Sequence, residues 1–270
     1  MSRRWALGAV ILLAWSVAVS AEARPLRVMS LDQCGDQYAL ALRPDADLAL
    51  SPRADDPDSW LREAAAGRRR VRPTLEAAIA FNPDVVVRYW GGEPRLLAAL
   101  EARGVRVLTI EDAVDMEGVR ANISTLAAGL DAQAKGEALQ VHMTERLTQA
   151  ATPHEAPVSA LYLTPGGFTA GRGTLMDAIL KAAGFANLAP SAGFAPVSVE
   201  RVALSPPRRF ILGMFDRIRD DWRGPGRHPV IQAAVKNRVA AHLPASTLSC
   251  PAWFAADAAA MARIGTRAGV

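Results

Sequence analysis

Two aromatic side chains and two glycines follow one another at residues 89–92, one residue after a run of three valines at residues 85–87. The valine run predicts a buried parallel strand, and open α/β sheets bind their ligands where such strands end. Tyr89 and Trp90 can cover a large flat ligand with rigid rings, and Gly91 lets the backbone approach it. Because side chains alternate along a strand, we expect one ring, Trp90, to face the ligand while the other packs on a helix.

Polar side chains follow the first two predicted strands, at residues 26–31 and 48–51. Asp32 fits the N-cap of the next helix. Gln33 can hydrogen-bond an amide or carboxylate of a ligand. Arg53 can bind a ligand carboxylate or phosphate, or it can pair with the aspartates that follow it.

Two further aromatic residues are candidates for ligand contact. Phe168 follows a Gly-Gly pair, so it occupies the position in the second lobe that is equivalent to the ligand-binding loop of the first lobe. Trp253 is the other, with packing in the core as its alternative.

The sequence contains none of the common catalytic or nucleotide-binding motifs: G-x-S-x-G, H-E-x-x-H, C-x-x-C or a P-loop. We therefore assign no catalytic residue. The four histidines, His142, His154, His228 and His242, are scattered, and none follows a strand of the first half. We predict no metal site and no cofactor, so that any metal arrives inside an organic complex.

The chain of 270 residues has a formal net charge of +4, with its arginines densest at residues 68–72. Nucleic-acid binding would need a broader basic stripe with aromatic platforms, so we expect no nucleic-acid partner.

Strands and helices alternate along the first half, which predicts a parallel sheet covered by helices. Residues 131–150 lack proline and read as one long helix, which the proline-containing stretch after it breaks. The sequence therefore predicts an α/β protein of two Rossmann-like lobes with central parallel sheets, joined by one long α-helix. The predicted units are residues 24–130, the linking helix 131–152 and residues 153–270.

Residues 1–23 have the pattern of an export signal. Two arginines precede an apolar run at residues 5–19, and Ala-Glu-Ala at residues 21–23 fits a cleavage site before Arg24. A retained membrane anchor is the alternative, but a span needs about 20 apolar residues. We expect a protein of the periplasm.

The two cysteines, Cys34 and Cys250, lie near opposite ends of the exported chain. An oxidising compartment favours a disulfide between them, and two separate buried thiols are the equal alternative.

Four stretches resemble a known family: RVMSL at residues 27–31, PTLEAAIAFNPDVV at 73–86, GTLMDAILKAAGFAN at 173–187 and VSVE at 197–200. They are similar to class III periplasmic substrate-binding proteins of ABC importers, in the group that carries cobalamin and ferric siderophores. The resemblance implies a monomer that captures a metal chelate between its lobes, delivers it to an inner-membrane ABC permease and performs no chemistry on it.

The resemblance also implies roles for particular residues. One surface glutamate of each lobe pairs with permease arginines in this family, which points to Glu76 and Glu200; the helix dipole alone also favours carboxylates there. The family's cobalamin-binding protein has a Trp before Gly-Gly in the matching loop, which favours cobalamin over a ferric siderophore and supports Trp90. A haem-binding transport protein and an exported α/β enzyme of unrecognised type are the alternatives.

Overall fold

The computed structural model describes residues 24–151, 156–217 and 223–267. Residues 264–267 are described by their backbone alone. The predicted signal peptide and His154 lie outside the described residues. Within the described part, the structure contains no helix with the length and apolar character that a membrane span requires.

The first lobe is built on a sheet of four parallel strands. They are β1 (Arg27–Ser30), β2 (Asp47–Ala49), β3 (Val85–Arg88) and β4 (Arg106–Thr109), in the spatial order β2-β1-β3-β4. Val28 of β1 pairs with Val85 of β3, and both are fully buried, as expected for β-branched residues in a sheet covered on both faces. The carboxyl ends of β3 and β4 therefore lie side by side.

Five helices cover this sheet: α1 (Gln33–Leu42), α2 (Arg62–Ala65), α3 (Leu75–Phe81), α4 (Pro94–Glu101) and α5 (Met116–Gly129). The side chains of Asp32, Thr74 and Asp115 each accept a backbone hydrogen bond at the start of a helix. Asn82, with a φ of 52°, ends α3 in the left-handed conformation.

The long helix α6 (Gln133–Ala150) leads to the second lobe. The parallel strands of that lobe are β5 (Val158–Leu163), β7 (Phe185–Asn187), β9 (Arg209–Gly213) and β10 (Val239–Leu243), in the order β10-β9-β5-β7. A separate antiparallel pair consists of β6 (Phe168–Ala170) and β8 (Phe194–Pro196). The helices are α7 (Leu175–Ala182), α8 (Val199–Leu204), α9 (Pro229–Val235) and α10 (Ala255–Arg267). Two parallel sheets in two lobes joined by a long helix confirm the predicted fold class.

A second helix strengthens the connection between the lobes, because α10 packs along α6. The buried carboxylate of Asp257 on α10 accepts a hydrogen bond from Nε of Arg146 at 2.7 Å and lies 2.9 Å from Nε2 of His142, both on α6. The two lobes therefore share a spine of two paired helices.

The chain does not stay in the second lobe to its end, which differs from the predicted unit 153–270. After β10 a return segment, residues 247–254, crosses to the first lobe, where Trp253 and Phe254 join the core around Tyr38. Trp253 is 4% exposed, and its ring contacts those of Tyr38 and Phe254. Of the two alternatives for Trp253, contact with a ligand and packing in the core, the structure has packing in the core.

Candidate functional site

A cleft of about 450 Å³ opens between the two lobes, at the carboxyl ends of β3, β4, β9 and β10. This is the edge at which α/β sheets bind ligands. Residues of both lobes and of the return segment line it: Tyr89, Trp90, Asp112, Ala113, Val114, Tyr162, Gly173, Thr174, Leu175, Met176, Ile179, Phe194, Met214, Thr247, Leu248, Ser249, Cys250 and Pro251. Most of these side chains are apolar or aromatic.

The first-lobe wall is the loop after β3, which Asp32 holds in place. One oxygen of the Asp32 carboxylate caps α1, and the other accepts hydrogen bonds from the backbone N–H groups of Tyr89 at 2.7 Å and Gly91 at 2.8 Å. A Cβ on Gly91 would lie 2.5 Å from the carbonyl oxygen of Leu31, so glycine is required for this close approach. The backbone of the loop is therefore fixed before any ligand enters.

The two aromatic rings of this loop stack on each other, with centroids 4.6 Å apart and planes 19° from parallel. The Tyr89 hydroxyl donates a hydrogen bond to Asp112. Burial, together with that hydrogen bond to the carboxylate, raises the pKa of Tyr89 well above its usual range, so the hydroxyl stays protonated. Trp90 is 74% exposed and presents an open aromatic face. Both rings line the cleft, whereas the sequence predicted that only one would face it.

Phe194, together with the buried Tyr162, supplies the aromatic rings of the second-lobe wall, and Phe168 does not. The two phenylalanines lie on the paired strands β8 and β6, where Phe168 faces Pro196 and Phe194 faces Ala170 in the register. Phe168 is half exposed but does not line the cleft. The prediction assumed that the glycines before Phe168 open a loop like the one in the first lobe; instead they form a turn that leads into this antiparallel pair.

Two other predicted ligand-binding residues, Gln33 and Arg53, lie together but outside the cleft lining. The Gln33 amide is buried and donates to Asp58 and to the Ser59 hydroxyl, each at 2.9 Å. Arg53 pairs with Asp56 at 2.8 Å and with Asp58 at 3.4 Å. The structure therefore shows the aspartate pairing that the sequence offered as the alternative for Arg53, although Asp58 was not foreseen as a partner.

The floor of the cleft includes Cys250, which forms a disulfide with Cys34 at the start of α1. The bond fastens the return segment to the first lobe, and so does the Tyr38 hydroxyl, which donates to the carbonyl oxygen of Pro251 at 2.9 Å. Of the two alternatives for the cysteines, the structure has the disulfide.

Glu76 and Glu200 are both exposed in the first turns of α3 and α8, one in each lobe. Thr74 and Ser198 already cap these helices. The two carboxylates are therefore not needed as caps and remain available at the surface.

The histidines with described side chains do not gather into a site. His142 pairs with Asp257, His228 accepts a hydrogen bond from the N–H of Val230, and His242 lies on β10. Within the described ranges, no three His, Cys, Asp or Glu side chains are grouped so that they could hold a metal ion.

Several solved structures share this fold. The periplasmic haem-binding protein BhuT in complex with two haems aligns with a TM-score of 0.68 and 23% identity, covering 90% of this chain and 98% of that one. The haem-binding protein RhuT from Roseiflexus sp. RS-1, in its apo form, aligns with a TM-score of 0.69 and 20% identity, covering 91% of this chain and 99% of that one. The vitamin B12-binding protein BtuF of Vibrio cholerae aligns with a TM-score of 0.65 and 21% identity, covering 91% of this chain and 98% of that one. No curated protein sequence matches this chain.

The model of the family named "Periplasmic binding protein" matches residues 44–246, which is most of the chain. Members of this family bind a ligand in the periplasm and pass it to an ABC permease. The chain therefore belongs to the periplasmic binding protein family, as a class III binding protein of ABC importers, and is a transport component rather than an enzyme.

Proposed function

We propose that this protein captures a metal chelate with a broad flat face in the interlobe cleft and delivers it to an inner-membrane ABC permease. Cobalamin is the first candidate for this chelate. The observation that carries the proposal is the arrangement of aromatic rings. Trp90, which stacks on Tyr89, and Phe194 of the other lobe line an otherwise mostly apolar cleft. Proteins of the same fold that bind vitamin B12 and haem support the chemical class.

The charges in the cleft favour cobalamin over a ferric siderophore. Among the cleft-lining residues that the structure describes, there is no Arg, Lys or His, and the acidic Asp112 already accepts the Tyr89 hydrogen bond. An anionic siderophore would lose hydration there without gaining a cationic partner from these described residues. Cobalamin brings its cobalt already enclosed in a ring, so it needs no metal ligand from the protein.

Haem is the second candidate, because two tyrosines, Tyr89 and Tyr162, are among the residues that line the cleft. Tyrosine is one of the residues that ligate haem iron. Both hydroxyls have a pKa raised above the usual range, chiefly by burial, so either would have to lose a tightly held proton to bind iron. The substitutions Tyr89→Phe and Tyr162→Phe therefore separate the candidates: one of the two should shift the visible spectrum of bound haem, and Tyr89→Phe should leave cobalamin binding nearly unchanged.

Delivery is proposed to use Glu76 and Glu200 as two exposed charges that pair with arginines of the permease. Charge reversal by Glu76→Lys or Glu200→Lys should lower uptake and leave ligand affinity unchanged. A large loss of affinity with normal uptake would refute these roles. Export through cleavage before Arg24 belongs to the same proposal, and N-terminal sequencing of protein from the periplasm checks it.

Tryptophan fluorescence quenching tests the ligand directly. The purified protein is titrated with cyanocobalamin, haemin and a panel of ferric siderophores, with Trp90→Phe as the control for the main reporter ring. We expect saturable quenching by cyanocobalamin, with a smaller signal in the control. Saturation by haemin alone would favour the second candidate, and quenching by none of these ligands would overturn the proposal.

A further inference from the structure

A buried carboxylate lies between the two lobes, apart from the residues that line the cleft. The side chain of Asp58, in the loop after β2, is 7% exposed. Its Oδ1 accepts a hydrogen bond from the buried Gln33 amide at 2.9 Å, and its Oδ2 lies 3.4 Å from Nη2 of Arg53. These contacts fix the carboxylate within the first lobe.

The same carboxylate also reaches the second lobe. Nη1 of Arg217, which follows β9, lies 3.6 Å from Oδ2 of Asp58. On the return segment, the Ser249 hydroxyl donates to the backbone carbonyl of Asp58 at 3.1 Å. Asp58 therefore touches all three parts of the chain whose residues form the cleft: the first lobe, the second lobe and the return segment.

We infer that Asp58 is a positioning residue that holds the two walls of the cleft at a fixed spacing through its ion pair with Arg217. The paired helices α6 and α10 connect the lobes at the spine, and a rotation of one lobe against the other would change the spacing of the walls. An ion pair between the lobes opposes that rotation. Because Asp58 is almost fully buried, solvent and salt screen its charge less than they screen a surface charge.

The substitutions can remove the charge and preserve the local structure. Asp58→Asn keeps an oxygen that can accept from Gln33 but loses the negative charge facing Arg217. Asp56→Asn is the matched control, since Asp56 pairs with Arg53 in the same loop. On the other lobe, Arg217→Gln removes the positive charge, and Arg217→Lys keeps it.

The spacing is measured by double electron–electron resonance between spin labels on Glu101→Cys and Lys236→Cys, two exposed positions on different lobes, with the native disulfide intact. We expect a narrow distance distribution in the background protein, Asp56→Asn and Arg217→Lys. Asp58→Asn and Arg217→Gln should give a broader distribution shifted to longer distances, and their combination should add little to either change alone. Thermal unfolding of each variant identifies any that fail to fold.

A second readout follows the ligand. If the walls are loosened, the dissociation rate of the bound chelate should rise roughly two- to fivefold in Asp58→Asn, the range expected for the loss of one partly exposed ion pair. Unchanged distance distributions in both charge-removing variants would overturn the inference. The distances are measured without ligand, so a failure of the proposed ligand would leave this result interpretable.

Discussion

The side chain of Asp32 accepts a hydrogen bond from the backbone N–H of Gly91 at 2.8 Å. The same carboxylate caps α1 through the N–H of Gly35 at 2.9 Å. One side chain therefore sets both the start of a helix and the shape of the loop that presents Trp90. It matters that this capping residue is an aspartate, because its carboxylate can accept the bond that caps α1 and the bonds from the cleft loop at the same time.

Replacing Asp32 with asparagine should separate its two roles. The asparagine oxygen can still cap α1, but its NH₂ group would face the N–H groups of Tyr89 and Gly91, which would lose their acceptor. We expect the free energy of unfolding to fall by about 2 kcal/mol, the typical cost of unsatisfied buried donors, and the affinity for the ligand to fall with it. Urea unfolding and ligand titration measure the two effects.

Asp115, which caps α5 through Gly118, provides the comparison. Because asparagine caps a helix about as well as aspartate, Asp115→Asn should change the free energy of unfolding by less than about 0.5 kcal/mol. Equal losses in the two variants would mean that the bonds of Asp32 to the cleft loop contribute nothing.

Phe168 and Phe194 lie on paired strands, but we expect only Phe194 to contribute to ligand affinity. Phe194→Ala and Trp90→Ala should each weaken ligand binding about tenfold or more, because each removes a ring from the cleft. Phe168→Ala should change affinity less than about twofold. All three side chains are at least half exposed, so thermal unfolding should change little. A larger effect at Phe168 than at Phe194 would show that the second wall is wrongly assigned.

The elements of the first lobe could be predicted because each is local. The valines of β3 and the N-cap at Thr74 are visible as patterns within a few residues. The position of Trp90 follows from the parallel sheet. Phe194 could not be found in this way, because its place depends on the pairing of β8 with β6 across the 23 residues between them. An aromatic residue directly after Gly193, whose φ is 70°, is the one local signal that could have suggested it.

The interlobe contacts were harder still to predict. The burial of Trp253 and the partners of Asp58 depend on the return of the chain from the second lobe to the first. No periodic pattern of apolar residues in the sequence predicts that the chain returns to the first lobe. The pair of cysteines was the signal for it, and the sequence alone left their pairing open.

The disulfide should contribute strongly to stability, because Cys34 and Cys250 are separated by 216 positions along the chain. Closing so long a loop restricts the unfolded state, and the loss of such a bond typically costs about 2–5 kcal/mol. We expect the urea midpoint to fall on reduction, and to the same level in Cys34→Ser/Cys250→Ser without reductant. An unchanged midpoint would contradict this role, provided that alkylation and mass measurement confirm that both thiols are free.

Asp36 should make stability depend on pH in the direction opposite to most carboxylates. Burial, only partly offset by hydrogen bonds from Ser51, raises the pKa of Asp36 from 3.8 to about 6. The folded protein thus binds a proton more tightly than the unfolded chain does. The stability contributed by this group is complete below pH 4 and is lost as the pH rises through 6, by about 3 kcal/mol.

Urea unfolding between pH 4.5 and 7 measures this effect. In that window Asp45 and Asp84, whose pKa values are lowered by Arg43 and Arg24 respectively, stay ionised and contribute little slope. We expect Asp36→Asn to remove most of the decline in stability between the two pH values. A variant with the same decline as the wild type would contradict the assignment.

We expect a metal chelate to bind between the two aromatic walls of the interlobe cleft. Anomalous scattering from a crystal of the complex, collected at the cobalt absorption edge after soaking with cyanocobalamin, tests it most directly. One strong anomalous peak is expected within the cleft, with the corrin ring in contact with Trp90. A peak elsewhere on the protein, or a clear electron-density map with an empty cleft at saturating ligand, would contradict it.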